Sequence, residues 1–438
     1  MTDTSSGRPR AVLLVANVAA PYSRGLRVAR SLAGAGYEVE IAAVADGHSP
    51  EDERDGDVRI RRYAPTGPLA RFATERYRTP GRTLAGRVRN VFDTAVKVAF
   101  WPVHVRGWWR TLGRELPDAD LYHAFGILAI PVALRLATSA RRRGRPAAVV
   151  YDVIDVILES NNVDRVPGPV LRWYKAQERR WAAAASAVVT VNAPIAEHLA
   201  GIWRLDPAPT VLLNCQPRWE APAVRPDLIR EAAAMAARTR IVLFLGRLGR
   251  ERGLDEAAEA VLRIEDAALV MMGFGHWADR LRERDRDPRF AGHHVTLPPV
   301  HPDDVPRWTA SADVSIVAVP ANSLNQRLSS PNKFWESLTA GTPVVVGRDL
   351  EVMRRIVEAE GLGAVADPAD PADIARALSS VLNAPPAERE AMRARCLAIT
   401  RDRYAWETAV QPYLSLVLRL VPPRGATTSA RTDAPRGR

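Results

Sequence analysis

Ser329-Ser330-Pro331-Asn332-Lys333-Phe334-Trp335-Glu336, closing at Ala340-Gly341-Thr342-Pro343-Val344-Val345-Val346, reads as a capped helix running into a buried strand. Ser330 has the side chain of an N-cap and Pro331 suits the first helical position. Gly341 with Pro343 ends the helix before the valine run. Lys333 and Glu336 share one face near the N-terminus, while Phe334, Trp335 and Leu338 supply the packed side. A helix start offers N–H groups without intrahelical partners and a partial positive charge, which suits phosphate. A carboxylate one turn in suits ribose hydroxyls. An ordinary capped helix before a core strand would carry the same signals.

Outward from this unit the chain alternates strands and helices. Ala11–Ala16, a helix from about Arg24 to Ala35, and Glu38–Val44 form a βαβ unit, which the right-handed crossover rule places in a doubly wound sheet. Further strands are predicted at Val58–Tyr63, Asp120–His123, Ala147–Asp152, Ala187–Val191 and Val211–Leu213. The helices between them are predicted at Ile127–Arg141, Val170–Ala185 and Pro194–Trp203. A second α/β pattern begins at Arg240–Leu245 and continues through Ala268–Gly273, Val295–Leu297, Val314–Val317 and Val344–Val346, with Pro217 to Arg238 as the linker.

A chain of 438 residues exceeds one typical domain and implies two, each with its own core. No apolar run reaches the roughly eighteen residues that a membrane span needs. The polar start Met1–Gly7 does not read as a secretory signal. Cys215 and Cys396 lie far apart without metal-ligand spacing and read as buried or free thiols of a reducing compartment, so the expected location is cytoplasmic. The formal charge of +11 raises the question of an anionic partner. No zinc-finger spacing or RNA-binding motif is present, so nucleic acid is not the expected one. The cluster Arg141-Arg142-Arg143-Gly144-Arg145 reads as a solvated loop between helix and strand.

The Ser-Pro-Asn-Lys helix start, with Leu245-Gly246-Arg247, Glu251-Arg252-Gly253-Leu254 and Met272-Gly273-Phe274-Gly275-His276, resembles glycosyltransferase family 4. That resemblance covers most of the chain. It implies an α/β chain of the GT-B fold, two Rossmann-like doubly wound domains facing each other across a cleft. The implied activity is transfer of a sugar from a nucleotide-diphosphate sugar, with retention of configuration and without metal or other cofactor. The implied partners are that nucleotide sugar and a glycan or lipid-linked acceptor. Arg247 and Arg252 match the positions that grip the donor diphosphate, arginine standing at 252 where lysine is more usual. Gly246, Gly273, Gly275, Ser330, Asn332 and Lys333 fall on the donor side, and Glu336 at the ribose.

In one respect the chain departs from the family. A second acid often stands eight residues before the first, and here Leu328 occupies that place, leaving Asn322, Ser323 and Asn325 as neutral candidates at the sugar. An epimerase of the same fold, or a non-catalytic GT-B protein, is the alternative. In the N-terminal half, His123 and Asp152 are at predicted strand ends; the resemblance implies a catalytic-site His123 lining the transferred sugar or the acceptor, with Asn17, Tyr22, Arg24 and Asp152 on the acceptor side.

The expected division is 1–9 disordered, 10–220 acceptor domain, 221–400 donor domain, 401–421 a helix returning to the N-domain, and 422–438 a disordered tail. The stretch Arg71–Arg114 is basic, with Phe92, Phe100, Trp101, Trp108 and Trp109 interleaved. It reads either as a peripheral contact with an anionic membrane surface or as helices packing their aromatics into the N-domain.

Overall fold

In a computed structural model of the protein, residues 7–19, 23–66, 105–164 and 166–423 are described. Short apolar runs too buried to alternate with polar residues become parallel strands covered on both faces. The first half contains β1 (Arg10–Val15), α1 (Ser23–Gly34), β2 (Glu38–Val44), β3 (Asp52–Asp55), β4 (Val58–Tyr63) and β5 (Leu121–Phe125). It continues with α2 (Ile130–Arg142), β6 (Ala148–Val153), α3 (Gly168–Ala184), β7 (Ala187–Thr190), α4 (Ala193–Trp203) and β8 (Thr210–Val211). The sheet order is β3-β4-β2-β1-β5-β6-β7-β8. Leu13 of β1 lies opposite Ile41 of β2 and His123 of β5, all parallel.

The second half contains β9 (Arg240–Arg247), α5 (Leu254–Val261), β10 (Ala267–Phe274), α6 (Ala278–Arg284), β11 (His294–Leu297), β12 (Val314–Val317) and α7 (Leu324–Leu328). Then come α8 (Asn332–Thr339), β13 (Val344–Gly347), α9 (Glu351–Glu360), β14 (Gly363–Ala366), α10 (Pro371–Leu382), α11 (Pro386–Asp402) and α12 (Gln411–Leu420). Its sheet runs β11-β10-β9-β12-β13-β14, parallel throughout. Winding reverses between β9 and β12, so the crevice at their carboxyl ends is the natural ligand position of this domain.

The chain end returns to the first half. Trp406, Val410, Tyr413 and Val417 are buried in one cluster with Leu13, Val28 and Ile41.

The structure decides one open alternative, corrects one expectation and adds one strand. Trp108 is 1 % exposed among Leu14, Tyr122 and Ala133, and Trp109 packs partly buried on the same core, beneath the Arg135 guanidinium at 5.1 Å. For these two residues packing, not lipid contact, is what the chain uses. Phe92, Phe100 and Trp101 lie outside the described residues. Pro9 is no loose terminus: it is buried, and its carbonyl accepts from Glu38 N at 3.0 Å. Strand β3 went unpredicted because Asp52-Glu53-Arg54-Asp55 is wholly charged. It is an antiparallel edge strand held by Arg59 on Asp52, and charge is a common way of protecting such an edge.

Candidate functional site

Helix α8 starts one residue later than the capping pattern predicts. Pro331, extended at φ −68 and ψ 157, takes the cap position, and no side chain caps the helix. Ser330 therefore does not cap it. The hydroxyl is buried and stands 3.5 Å from the Asn192 amide of the other domain. The side chains of Phe334, Trp335 and Leu338 fill the core beneath, as their spacing predicts. A helix entering the crevice without a side-chain cap keeps its first donors available to a ligand.

Lys333 is the unusual residue of this helix. Its side chain is buried, with Nζ 3.8 Å from the centroid of the Phe244 ring and no hydrogen-bond partner. Burial, with a contribution from Arg252, pushes its pKa down to about 7, and Glu336 offsets this only in part. One turn on, Glu336 is half-buried, and burial raises its carboxyl to about 7 against the pull of Arg27 and Lys333. A cation and a carboxylate thus share one helix face without a bond between them, both close to losing their charge at neutral pH.

Arg247 ends β9 in an exposed position. Arg252 ends the short 3-10 turn Arg250–Arg252, with Nε 3.8 Å from Glu251 and close enough to Lys333 to lower its pKa. Arg247 thus stands at the carboxyl end of β9, where the crevice opens, and Arg252 is the cation that acts on Lys333. The glycines also answer a local packing need. A Cβ on Gly273 would stand 1.8 Å from Gly246 O, and one on Gly275 2.1 Å from Leu248 O. Both are required by close approach of neighbouring backbone, of β9 at Gly273 and of the residue after it at Gly275.

Sequence-predicted residues of the first half form a closed network instead of lining a cleft. His123 and Asp152 are both 0 % exposed. Arg24 grips Asp152 through Nε and Nη2, each at 3.0 Å, and donates Nη1 to Leu212 O. His123 meets Tyr413 Oη at 2.9 Å through Nδ1 and Asp152 Oδ2 at 3.3 Å through Nε2. Burial lowers the His123 pKa in spite of Asp152. Burial opposes ionisation of Asp152 too, but Arg24 and His123 outweigh it and hold the carboxyl below its usual range. The reading of His123, Asp152 and Arg24 as acceptor-facing groups is corrected: they join β5, β6, α1 and α12. Asn17 is exposed after β1, its Oδ1 accepting from Ala19 N at 2.8 Å, and Tyr22 lies outside the described residues.

The neutral sugar-side candidates divide. Asn322 is exposed, while the Asn325 amide is occupied by the first domain, accepting from Val156 N at 2.7 Å and donating to Asp155 Oδ1 at 3.2 Å. Leu328, where the acid would stand, is 6 % exposed within the first domain's apolar cluster. A carboxylate could not occupy that pocket unpaired.

Sequence reasoning missed Arg27 and Phe244. Arg27 donates to Asn214 Oδ1 at 2.9 Å and Gln216 Oε1 at 3.0 Å, and stacks over Trp406 at 5.1 Å. From there its charge reaches Glu336 across the domain boundary. Two arginines three residues apart on the apolar face of α1 were the available signal. Nothing local marks Phe244, which is one apolar residue in a strand of them. Among the described residues no three His, Cys, Asp or Glu side chains are grouped to hold a metal, and no helix is long and apolar enough to cross a membrane.

Two family models match the chain: a glycosyl transferase 4-like domain over residues 23–215 and glycosyl transferases group 1 over 239–384. No curated protein sequence matches it significantly. Among solved structures, sucrose-phosphate synthase from Thermosynechococcus elongatus is similar, with TM-score 0.69 and 17% identity over 94% of this chain and 99% of that one. HepE of Anabaena, solved in complex with UDP-glucose, gives TM-score 0.65 and 15% identity over 94% and 100%. WaaG, a glycosyltransferase involved in lipopolysaccharide biosynthesis, gives 0.59 and 14% over 93% and 99%.

Proposed function

We propose that this chain, which belongs to glycosyltransferase family 4 and has the GT-B fold, moves a sugar from a nucleotide-diphosphate sugar to a glycan or lipid-linked acceptor with retention of configuration. The observation that carries this reading is the buried, unpartnered ammonium of Lys333 at an uncapped helix start, within electrostatic reach of Arg252. A buried cation without a partner destabilises the free protein, and a diphosphate would supply the missing negative charge. As the bond to the sugar breaks, charge grows on the phosphate. Fixed cations and helix N–H groups stabilise that state more than the ground state. Glu336, ionised once Lys333 beside it regains its charge, accepts from the ribose hydroxyls.

With three cations on the diphosphate, the reading needs no metal. It also needs no protein nucleophile: the acceptor hydroxyl attacks from the face the diphosphate leaves and passes its proton to the departing phosphate oxygen. HepE, a neighbour in fold, was solved with UDP-glucose, which makes UDP-sugars the first donors to try. A lipid-linked acceptor would bring the protein to the inner surface of the plasma membrane, and the net charge of +11 suits an anionic leaflet.

The test is nuclear magnetic resonance of the product formed from an α-linked donor, with and without chelator. Retention predicts an α-linked product at an unchanged rate. A β-linked product, a chelator-sensitive rate, or an isomerised donor with no transfer would overturn the corresponding part of the proposal.

A further inference from the structure

Asn192 serves two domains with one amide. It is 2 % exposed and in extended conformation as the N-cap of α4, where its Oδ1 accepts from Ile195 N at 3.0 Å. Its Nδ2 donates across the domain boundary to Leu328 O at 2.8 Å, with Ser330 Oγ at 3.5 Å. Turning the amide over would set Nδ2 against the Ile195 N–H and Oδ1 against the Leu328 carbonyl, so the partners fix its orientation. Leu328 is seated among the same buried residues as Val191, Ile195 and Leu199. The segment it anchors, Ser329-Ser330-Pro331, leads without a break into α8.

Three further hydrogen-bonded contacts brace the same span among the described residues: Asn325 on Val156 and Asp155, Asn161 Nδ2 on Gln326 Oε1 at 3.4 Å, and Asn332 Nδ2 on Ser23 Oγ at 3.1 Å. All lie at the edge, partly buried or exposed. Of these contacts, the Asn192 bond is the one fully enclosed.

We infer that Asn192 is a positioning residue: through Leu328 O it ties the cap of an acceptor-domain helix to the first turn of the donor helix. The uncapped start of α8 and Lys333 are thereby held at the crevice before any donor arrives. The role of Leu328 in the chain follows. At the place of the missing acid the donor domain has an apolar plug that fits the other domain, with its carbonyl taken by Asn192. Reading α8 as the donor helix rests on the function proposed above; the bond between domains does not.

Capping and bridging can be separated. Ser at position 192 still caps α4 but is too short to reach Leu328 O, and Asp caps about as well as Asn but has no N–H to donate. Asn192→Ser should keep the melting temperature of a folded protein within a few degrees, Asn192→Asp should lower it further because a buried carboxylate then faces the Leu328 carbonyl, and both should show a larger radius of gyration in small-angle X-ray scattering. The donor KM should rise roughly 3–10-fold, the loss of about one hydrogen bond, with kcat changed less. Wild-type scattering and KM in both variants would overturn the inference and leave Asn192 a helix cap. Should wild type bind no donor, the proposed function fails, and the scattering comparison alone decides whether Asn192 joins the domains. A variant that unfolds is replaced by Leu328→Ala, which keeps the bonded carbonyl and removes the plug. It too should enlarge the radius of gyration, and an unchanged value would count against the coupling.

Discussion

The ammonium of Lys333 stands 3.8 Å from the centre of the Phe244 ring and makes no hydrogen bond. An aromatic face attracts a cation, but by far less than the loss of water costs it. On the proposed function, a bound diphosphate relieves this imbalance. Lys333→Met should therefore stabilise the free protein, by about 1–4 kcal/mol as for other buried charges replaced by apolar residues, while donor binding is lost. Thermal denaturation with and without a nucleotide-diphosphate sugar measures both effects. A destabilised variant that still binds donor would contradict the assignment.

Protonation gives an independent check. The Lys333 pKa, lowered from 10.5 to about 7, means that the folded protein holds fewer protons than the unfolded chain between these values, so free-protein stability gains from this group as pH rises through that window. Glu336, raised from 4.5 to about 7, does the opposite: the folded protein holds more protons, and stability falls as pH rises from 4.5 to 7. Donor binding should recharge Lys333. At pH 8, titration calorimetry in buffers of different ionisation enthalpy should show net proton uptake in wild type and none in Lys333→Met, if that variant binds measurably at high donor concentration. Proton release at pH 8 would contradict the account.

Removing the charge of Glu336 tests the ribose contact. Glu336→Gln should weaken donor binding by roughly 1.5–3 kcal/mol, the range for hydrogen bonds to a charged group, with the fold intact. Unchanged affinity would place the ribose elsewhere.

How far the sequence revealed these features depended on how local each one was. Parallel strands such as Val314–Val317 and helices such as Ala193–Trp203 declare themselves through apolar runs and flanking breakers, and the structure has them within a few residues. The pairing of Lys333 and Glu336 on one helix face was legible from their spacing. Burial of Lys333 was not, because Phe244 is about ninety residues away and meets it only through sheet packing. His123 and Asp152 looked like cleft residues because they stood at predicted strand ends, but β5 runs on to Phe125 and leaves His123 in mid-strand. What encloses them, Arg24 and Tyr413, comes from opposite ends of the chain. Leu328 looked like a missing acid and turned out to be a contact between domains.

Burial of Trp108 decides the effect of changing it. Trp108→Ser should cost about 3–5 kcal/mol, as large-to-small changes in a core do, and should lower the melting temperature markedly. Trp173→Ser, at a residue 50% exposed on α3, should leave it nearly unchanged. Equal melting temperatures for the two variants would show that Trp108 is not core.

The central claim is that the crevice with Lys333, Arg252 and Arg247 binds the diphosphate of a nucleotide sugar and drives its departure. Its most direct measurement is release of nucleoside diphosphate from a panel of UDP-, GDP- and dTDP-sugars by wild type, Arg247→Ala, Arg252→Ala and Arg252→Lys, each shown folded by its own melting curve. The account predicts release by wild type from one class of donor. It also predicts a loss of roughly 100-fold or more in the alanine variants, as when a group facing transition-state charge is removed, and partial recovery in Arg252→Lys. Full activity in both alanine variants, or no release from any donor by folded wild type, would contradict it.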